Sequence, residues 1–353
     1  MSSRNLSFLQ MYLMALYVLC ACDHRPLVDI NDTHYLRIYV DEEIKNVTCG
    51  FYNEEYERPV YERPRVMRVL LADPMTGSIL SERYFQNQGE DERGYYIDGY
   101  IQAKPGTYNL LLYNFGSTQT LIRNENNFFR MQAYTRPVSE YYLQYIPSTR
   151  LELDESRIMQ QPEHLFHDVG EPVVIPHHSG VDTLRTVLGD YFKAHSVVLS
   201  YYIQVKIKGV EWVKSAVSLM SGMAGNTLMH GHRILEQSDP VNVFFTMKQA
   251  NRNRRSGERT TTATLYTTFN TFGKIPSVSS VCTLNFEFIK TDGSTQVERL
   301  DITPMFDTPL VKNRQWILLD KEIVITPPDN AAVGGGMNPG VDDWKEEKAE
   351  IEL

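Results

Sequence analysis

The sequence predicts an all-β protein: two tandem antiparallel β-sandwich domains preceded by a cleaved signal peptide. Three observations carry this. From Tyr35 onward the hydrophobic period is mostly two, the spacing of strands that lay one face on a core. Turn sequences such as Asp73-Pro74-Met75-Thr76-Gly77 and Lys104-Pro105-Gly106-Thr107 join consecutive strand-like runs into hairpins, Pro presetting φ and Gly supplying a positive one. A stretch interrupted by Pro137, Pro147, Pro162, Pro172 and Pro176 then separates two runs of strands of similar length.

The chain begins with a basic residue, Arg4, followed by an apolar run over residues 6–19, too short to favour a spanning helix. Small residues and a cysteine follow, so residues 1–21 read as an export signal that is not part of the fold. The order Leu19-Cys20-Ala21-Cys22 resembles a bacterial lipobox. That resemblance implies cleavage between Ala21 and Cys22 and a diacylglyceryl thioether on Cys22, which ties the protein to a membrane through lipid. An ordinary secretory signal or a single N-terminal span is the alternative.

Residues 22–33 form the anchor linker and residues 34–135 the first sandwich. Leu36, Ile38 and Val40 alternate with Tyr35, Arg37 and Tyr39. Residues 66–71 and 79–85 make one hairpin, and residues 96–103 and 108–115 a second. Residues 136–180 are the interdomain segment, with a short helical turn allowed at 138–145. The second sandwich spans 181–328. In it Tyr201, Ile203, Val205 and Ile207 share one face, residues 213–220 continue as strand with a helix as the alternative, and Thr291-Asp292-Gly293-Ser294 is a hairpin turn. Residues 329–353 form a tail with a joint at Gly334-Gly335-Gly336 and an acidic end bearing Trp344 and Ile351.

Composition narrows the function. A net charge of −9 argues against nucleic acid, whose phosphates require clustered Lys and Arg. The 21 tyrosines suit half-buried strands and contact faces alike. Cys49 and Cys282 remain after processing, and each reads as a small buried hydrophobe rather than half of a bridge. No nucleophile elbow, His-Glu-x-x-His, Cys-x-x-Cys or phosphate-binding Gly-rich loop is present, so no catalytic residues are assigned. His164, His167 and Asp168, the His177-His178 pair, and His230 with His232 read as loop side chains, and neither a metal nor a cofactor is expected. Asp91-Glu92-Arg93 reads as a solvated strand end, and the Arg252 to Arg259 run as a mobile hairpin loop, with a contact or protease-sensitive site as the alternative. Asp182-Thr183-Leu184 resembles the Asp-Thr/Ser-aliphatic O-glycosylation acceptor of Bacteroidetes, with Thr183 as the modified residue.

Several stretches together resemble a family. They are Cys22-Asp23-His24-Arg25-Pro26-Leu27, His34-Tyr35-Leu36-Arg37-Ile38-Tyr39, Tyr96-Ile97-Asp98-Gly99-Tyr100, residues 108–115, and Ser221-Gly222-Met223-Ala224-Gly225. They are similar to the fimbrillin-like lipoproteins of Bacteroidales, within an uncharacterised branch related to the minor-fimbrium anchor of type V pili. The resemblance implies transthyretin-like sandwiches, an outer-membrane location at the cell surface, and fimbrial or pilin-like partners joined by β-strand pairing. It makes the tail, through Trp344 and Ile351, a candidate docking segment. In shaft subunits the first strand is lost by proteolysis. Here that strand begins about a dozen residues after Cys22, so a cut at Arg37 would free the protein from its lipid, and an anchor or accessory subunit is favoured. A lipoprotein that binds surface glycans through exposed Tyr and Trp is the alternative.

Overall fold

The computed structural model describes residues 33–41, 62–139, 157–169, 172–176, 182–186, 188–232, 234, 240–249, 261–276 and 281–328. The first half supplies β1 (Thr33–Val40), β2 (Met67–Ala72), β3 (Ile79–Phe85), β4 (Asn87–Asp91), β5 (Gly94–Gln102), β6 (Gly106–Asn114), β7 (Thr120–Arg123) and β8 (Gln132–Thr135). Five short strands follow: β9 (Ile158–Met159), β10 (Phe166–Val169), β11 (Val173–Ile175), β12 (Asp182–Thr183) and β13 (Phe192–Ser196). The second half holds β14 (Leu199–Lys208), β15 (Val213–Ala224), β16 (Asn226–Leu228), β17 (Pro240–Thr246), β18 (Lys248–Gln249), β19 (Thr262–Thr271), β20 (Thr283–Lys290), β21 (Thr295–Asp301), the short helix α1 (Pro309–Arg314) and β22 (Trp316–Val324). Residues 213–220 are strand, not helix.

The fold is an all-β sandwich architecture. In the first half the strand order is β3-β2-β6-β10-β13-β1-β5-β4. This sheet doubles over, so that Leu36 and Ile38 of β1 and Ile97 and Ile101 of β5 meet Met67, Val69 and Leu71 of β2 and Leu110 and Leu112 of β6 in one core. In the second half the sheet β18-β19-β14-β22 packs on the sheet β21-β20-β15-β17-β9. Ile203, Val205, Leu265 and Phe269 on one side face Met220, Phe245, Phe286 and Phe288 on the other, and the Phe245 and Phe269 rings stack at 4.4 Å. Cys282 is buried in this core, and burial pushes its thiol up to about 11. Cys49 lies outside the described residues.

Two features differ from the sequence expectation. The sheets are mixed rather than purely antiparallel: β1 runs parallel to β12 and β13, β14 to β22, and β17 to β9. Alternation along one strand records which face is buried but not the direction of its neighbour, and parallel partners arrive through long connections. The Pro-interrupted segment also contributes to the sheets, through β9, β10 and β11. These strands have two to four residues, too few to show a period. Within the range 181–328, β12 and β13 pair with β1. Helix α1, unforeseen, starts with Pro309 at its first position behind the Thr308 cap, which accepts from the Val311 amide.

The halves meet in a core of their own. Leu70, Leu111, Tyr113, Phe128 and Met131 from the first half contact Val198, Ala224, Met229, Phe272 and Ile275 from the second. Across this junction β8 pairs with β16. Beside it the His164 ring lies between Ser196 and Ser200, with Nδ1 2.9 Å from one hydroxyl and Nε2 3.3 Å from the other. The Glu163 carboxylate accepts the Thr118 and Gln119 amides together with the Ser117 and Thr118 hydroxyls, which ties the 117–120 loop to the connecting segment.

Gly222 explains one of the quoted sequence stretches. It has φ +77°, and a Cβ there would meet the Val281 carbonyl oxygen at 2.5 Å, at a register shift between Met220 and Met223. Replacing it with Ala combines backbone strain with a clash, and is expected to lower unfolding free energy by about 1–3 kcal/mol in urea titration. Burial lowers the His164 pKa from 6.5 to about 4. The unfolded chain therefore takes up the proton first as pH falls. Stability from this group is fully present above 6.5 and is lost between 6.5 and about 4, at roughly 1.4 kcal/mol per unit as an upper bound. Denaturation midpoints measured across that window should fall for the native protein and flatten in His164→Gln.

Candidate functional site

β1 has two working faces. Leu36, Ile38 and Val40 enter the core, while Tyr35, Arg37 and Tyr39 point outward. Antiparallel pairing with β5 sets Tyr35 opposite Tyr100, Arg37 opposite Asp98 and Tyr39 opposite Tyr96. The outward positions thus form a ladder of aromatic rungs around a central Arg–Asp pair.

The ladder is held from three sides. The Tyr35 hydroxyl donates to Asp98, the Asn87 amide donates to the other oxygen of that carboxylate at 2.5 Å, and Arg37 Nη2 lies 3.5 Å from it. Arg37 Nη1 pairs with Asp91 at 3.1 Å, and the same Asp91 oxygen accepts the Tyr39 hydroxyl at 2.7 Å. The guanidinium lies 3.8 Å from the Tyr96 centroid. Tyr96 in turn covers Gly89 of β4, where a Cβ would come within 2.3 Å of the ring. Glycine, ring and guanidinium therefore stack in three layers. Burial, reinforced by Asp98, pushes the Tyr35 phenol up to about 12, whereas the Tyr39 hydroxyl and nearby arginines hold Asp91 below the usual carboxylate range.

On the opposite side of β1, Thr183 is paired in register with Tyr35 and its side chain is exposed. Leu184 is buried, so the acceptor-like sequence fixes itself through its third residue and presents the hydroxyl of its second. Ala21, Cys22, Trp344 and Ile351 lie outside the described residues, as do His177 and His178. His167 and Asp168 are adjacent in β10, and strand alternation sends them to opposite faces. Asp168 is raised by burial and accepts the Lys193 amide at 3.4 Å. Among the described residues no group of three His, Cys, Asp or Glu side chains could hold a metal.

Sequence reasoning missed the ladder, although its parts were visible: Tyr35/Arg37/Tyr39 and Tyr96/Asp98/Tyr100 are each the outward phase of a strand. Their pairing was not visible, because three strands intervene between β1 and β5 in the chain.

A family model for a domain of unknown function, DUF5119, matches residues 58–246. The chain belongs to the DUF5119 family. A Bacteroides ovatus protein provisionally named fimbrium anchoring subunit Fim4B is 23% identical over 273 residues, covering 70% of this chain and 74% of that one. Among solved structures, a B. ovatus chain provisionally described as an adhesin aligns with a TM-score of 0.53 at 19% identity, over 87% of this chain and 98% of that chain. This likeness shows a shared fold. The fimbrial anchor protein Mfa2 of Porphyromonas gingivalis aligns at a TM-score of 0.46 and 11% identity, over 83% and 90% of the two chains. The name of the 23%-identical B. ovatus relative agrees with the family resemblance found in the sequence of this DUF5119 member.

Asp98 is the hub of the ladder, with its side chain only 7% exposed. Asp98→Ala leaves the Tyr35 hydroxyl and Arg37 without their shared acceptor and is expected to cost about 1–3 kcal/mol in urea unfolding. Glu90→Ala, which removes an exposed pair with Arg63, should change stability by less than about 1 kcal/mol.

Proposed function

We propose that this DUF5119 protein is a non-catalytic, lipid-anchored protein of the cell outer membrane that serves as an anchor or accessory subunit of a fimbria-like assembly. The lipid is carried on Cys22, and the partners are fimbrial subunits engaged by β-strand pairing. The fimbrial name of the B. ovatus relative supports the class of assembly.

The observation that carries the proposal is the place of β1. It begins eleven positions after Cys22 and lies inside the sheet, between β13 and β5. Leu36 and Ile38 are completely buried, each contributing about 1.5–3 kcal/mol of apolar transfer. Removing β1 would take the lipid with it and strip two neighbouring strands of their hydrogen-bond partner. A chain built this way works with its first strand in place, joined continuously to the membrane. Binding to further subunits then falls to other elements, with the 341–353 tail and its Trp344 and Ile351 as the docking segment.

Cys22 precedes the first described strand in the sequence, so Cys22→Ser tests anchoring while leaving every residue of the described core unchanged. The variant is expected to move from the membrane fraction to the soluble one and to lose fatty-acid labelling. Retention in the membrane with unchanged labelling would refute the lipid assignment. In the same cells, deletion of residues 341–353 should abolish co-purification of fimbrial subunits while leaving the protein on the membrane; unchanged recovery would refute tail docking.

A further inference from the structure

The outer face of β1 continues past its own ladder. Leu184 donates its amide to the Tyr35 carbonyl at 2.8 Å, and the connection from there to β13 contains a turn in which the Thr186 amide donates to the Asp190 carbonyl. This segment brings Arg185 and Tyr191 to the ladder. The Tyr191 and Tyr39 rings meet at 5.4 Å, and three guanidiniums surround the Tyr191 ring: Arg185 at 3.4 Å, Arg93 at 5.1 Å and Arg37 at 5.9 Å from its centroid.

These arginines are not equivalent. Arg37 is matched by Asp91 and Asp98, whereas Arg93 and Arg185 make no ion pair among the described residues. Two guanidiniums that make no ion pair among the described residues therefore lie against one ring, on a chain whose net charge is −9. Guanidinium forks match carboxylates in geometry, and stacking on a ring fixes their planes in advance. At the other end of the ladder Tyr100 is 58% exposed and leans on Tyr35 with ring centroids 5.5 Å apart, an open aromatic platform beside the Asp98 and Asn87 polar groups.

We propose that this face, from Tyr100 and Tyr35 to Arg93, Arg185 and Tyr191, binds an acidic glycan, a sugar carboxylate lying on the two arginines and a neighbouring sugar ring on Tyr100. Charge selects the acid. Stacking platforms beside polar side chains select a sugar, whose apolar ring face and rim of hydroxyls match that mixture. The strand itself disfavours an extended acidic peptide here: β1 is paired on both sides, so no main-chain edge is offered for strand addition. Tyr35 to Tyr39 spans about 13 Å of strand, room for a short oligosaccharide rather than a single sugar. The site is independent of the fimbrial proposal, since neither the lipid nor the tail takes part.

The test is calorimetric titration of the full chain in detergent with three probes: a hexasaccharide of alternating glucuronate and N-acetylglucosamine, a neutral hexaose, and a Glu hexapeptide. Saturable binding of the acidic sugar alone is expected, weakening as salt is raised from 50 to 500 mM. Affinity should drop at least tenfold in the Arg93→Gln/Arg185→Gln double variant and severalfold in Tyr100→Ala. Tyr100 is exposed and gives a variant independent of any fold defect at the arginines. Absence of saturable binding at millimolar sugar, equal binding of the neutral hexaose, or full affinity in both variants would overturn the proposal. Binding of the Glu hexapeptide as tightly as the acidic sugar would also overturn it, in favour of a protein ligand.

Discussion

The pairing of β1 on both of its edges is the constraint on which the rest of the molecule depends. On one side it exchanges hydrogen bonds with β5 along seven register positions, from Thr33 opposite Gln102 to Tyr39 opposite Tyr96. On the other side it meets β12 and then β13 in parallel. Its inward side chains complete the N-terminal core and its outward side chains build the Tyr–Arg–Asp ladder. An unpaired backbone group inside a sheet costs as much as the hydrogen bond it lacks, so loss of this strand would expose two rows of orphaned donors and acceptors rather than one free edge. The first described strand of the chain is thus an interior strand of the N-terminal sandwich, paired on both of its edges.

The same strand organises the route to the second half. Asp41, directly after β1, donates its amide to the Ala194 carbonyl of β13, and the Asp41 carboxylate lies 2.8 Å from His195 Nδ1. Two residues after β13 the chain enters β14, the strand at the centre of the C-terminal sheet. Val198 between them is buried in the junction core beside Phe272 and Ala224. Tension applied at the N-terminus is therefore carried from β1 to β13 by lateral hydrogen bonds and from β13 to β14 by the covalent chain. The shared apolar core and the β8–β16 pairing brace the junction as it is loaded.

Fold class was legible because the apolar residues Leu36/Ile38/Val40 and Ile203/Val205/Ile207 each enter a core in period two. What the sequence concealed was partnership. The β1–β5 and β14–β22 pairings join residues far apart in the chain, and alternation at each strand carries no mark of its mate. Strands β9 to β12 were hidden by brevity. The ladder was hidden for a related reason: Arg37 read only as an alternating strand position and the Asp91-Glu92-Arg93 run as solvated charge, and they become a site only when the sheet sets them together. Gly89 and Gly222 show the reverse case, in which a residue with no side chain records a close approach by Tyr96 and by the Val281 carbonyl.

Strand directions also decide where the two ends of the protein lie. Thr33 is opposite Gln102, just before the Lys104-Pro105-Gly106 turn, while Asp41 is beside Ala194, four residues before Val198 of the junction core; β1 therefore starts about 26 Å of strand from its junction-side end. β22 runs parallel to β14, pairing Tyr202 with Trp316 and Lys208 with Val324. It consequently finishes at the Lys208 end, about 30 Å of strand away from Leu199 and the junction core. The linker toward Cys22 and the segment leading to the tail leave from opposite sides of the junction, each a full strand length away from it. The entry to β1 and the exit from β22 are thus held apart by the strands themselves.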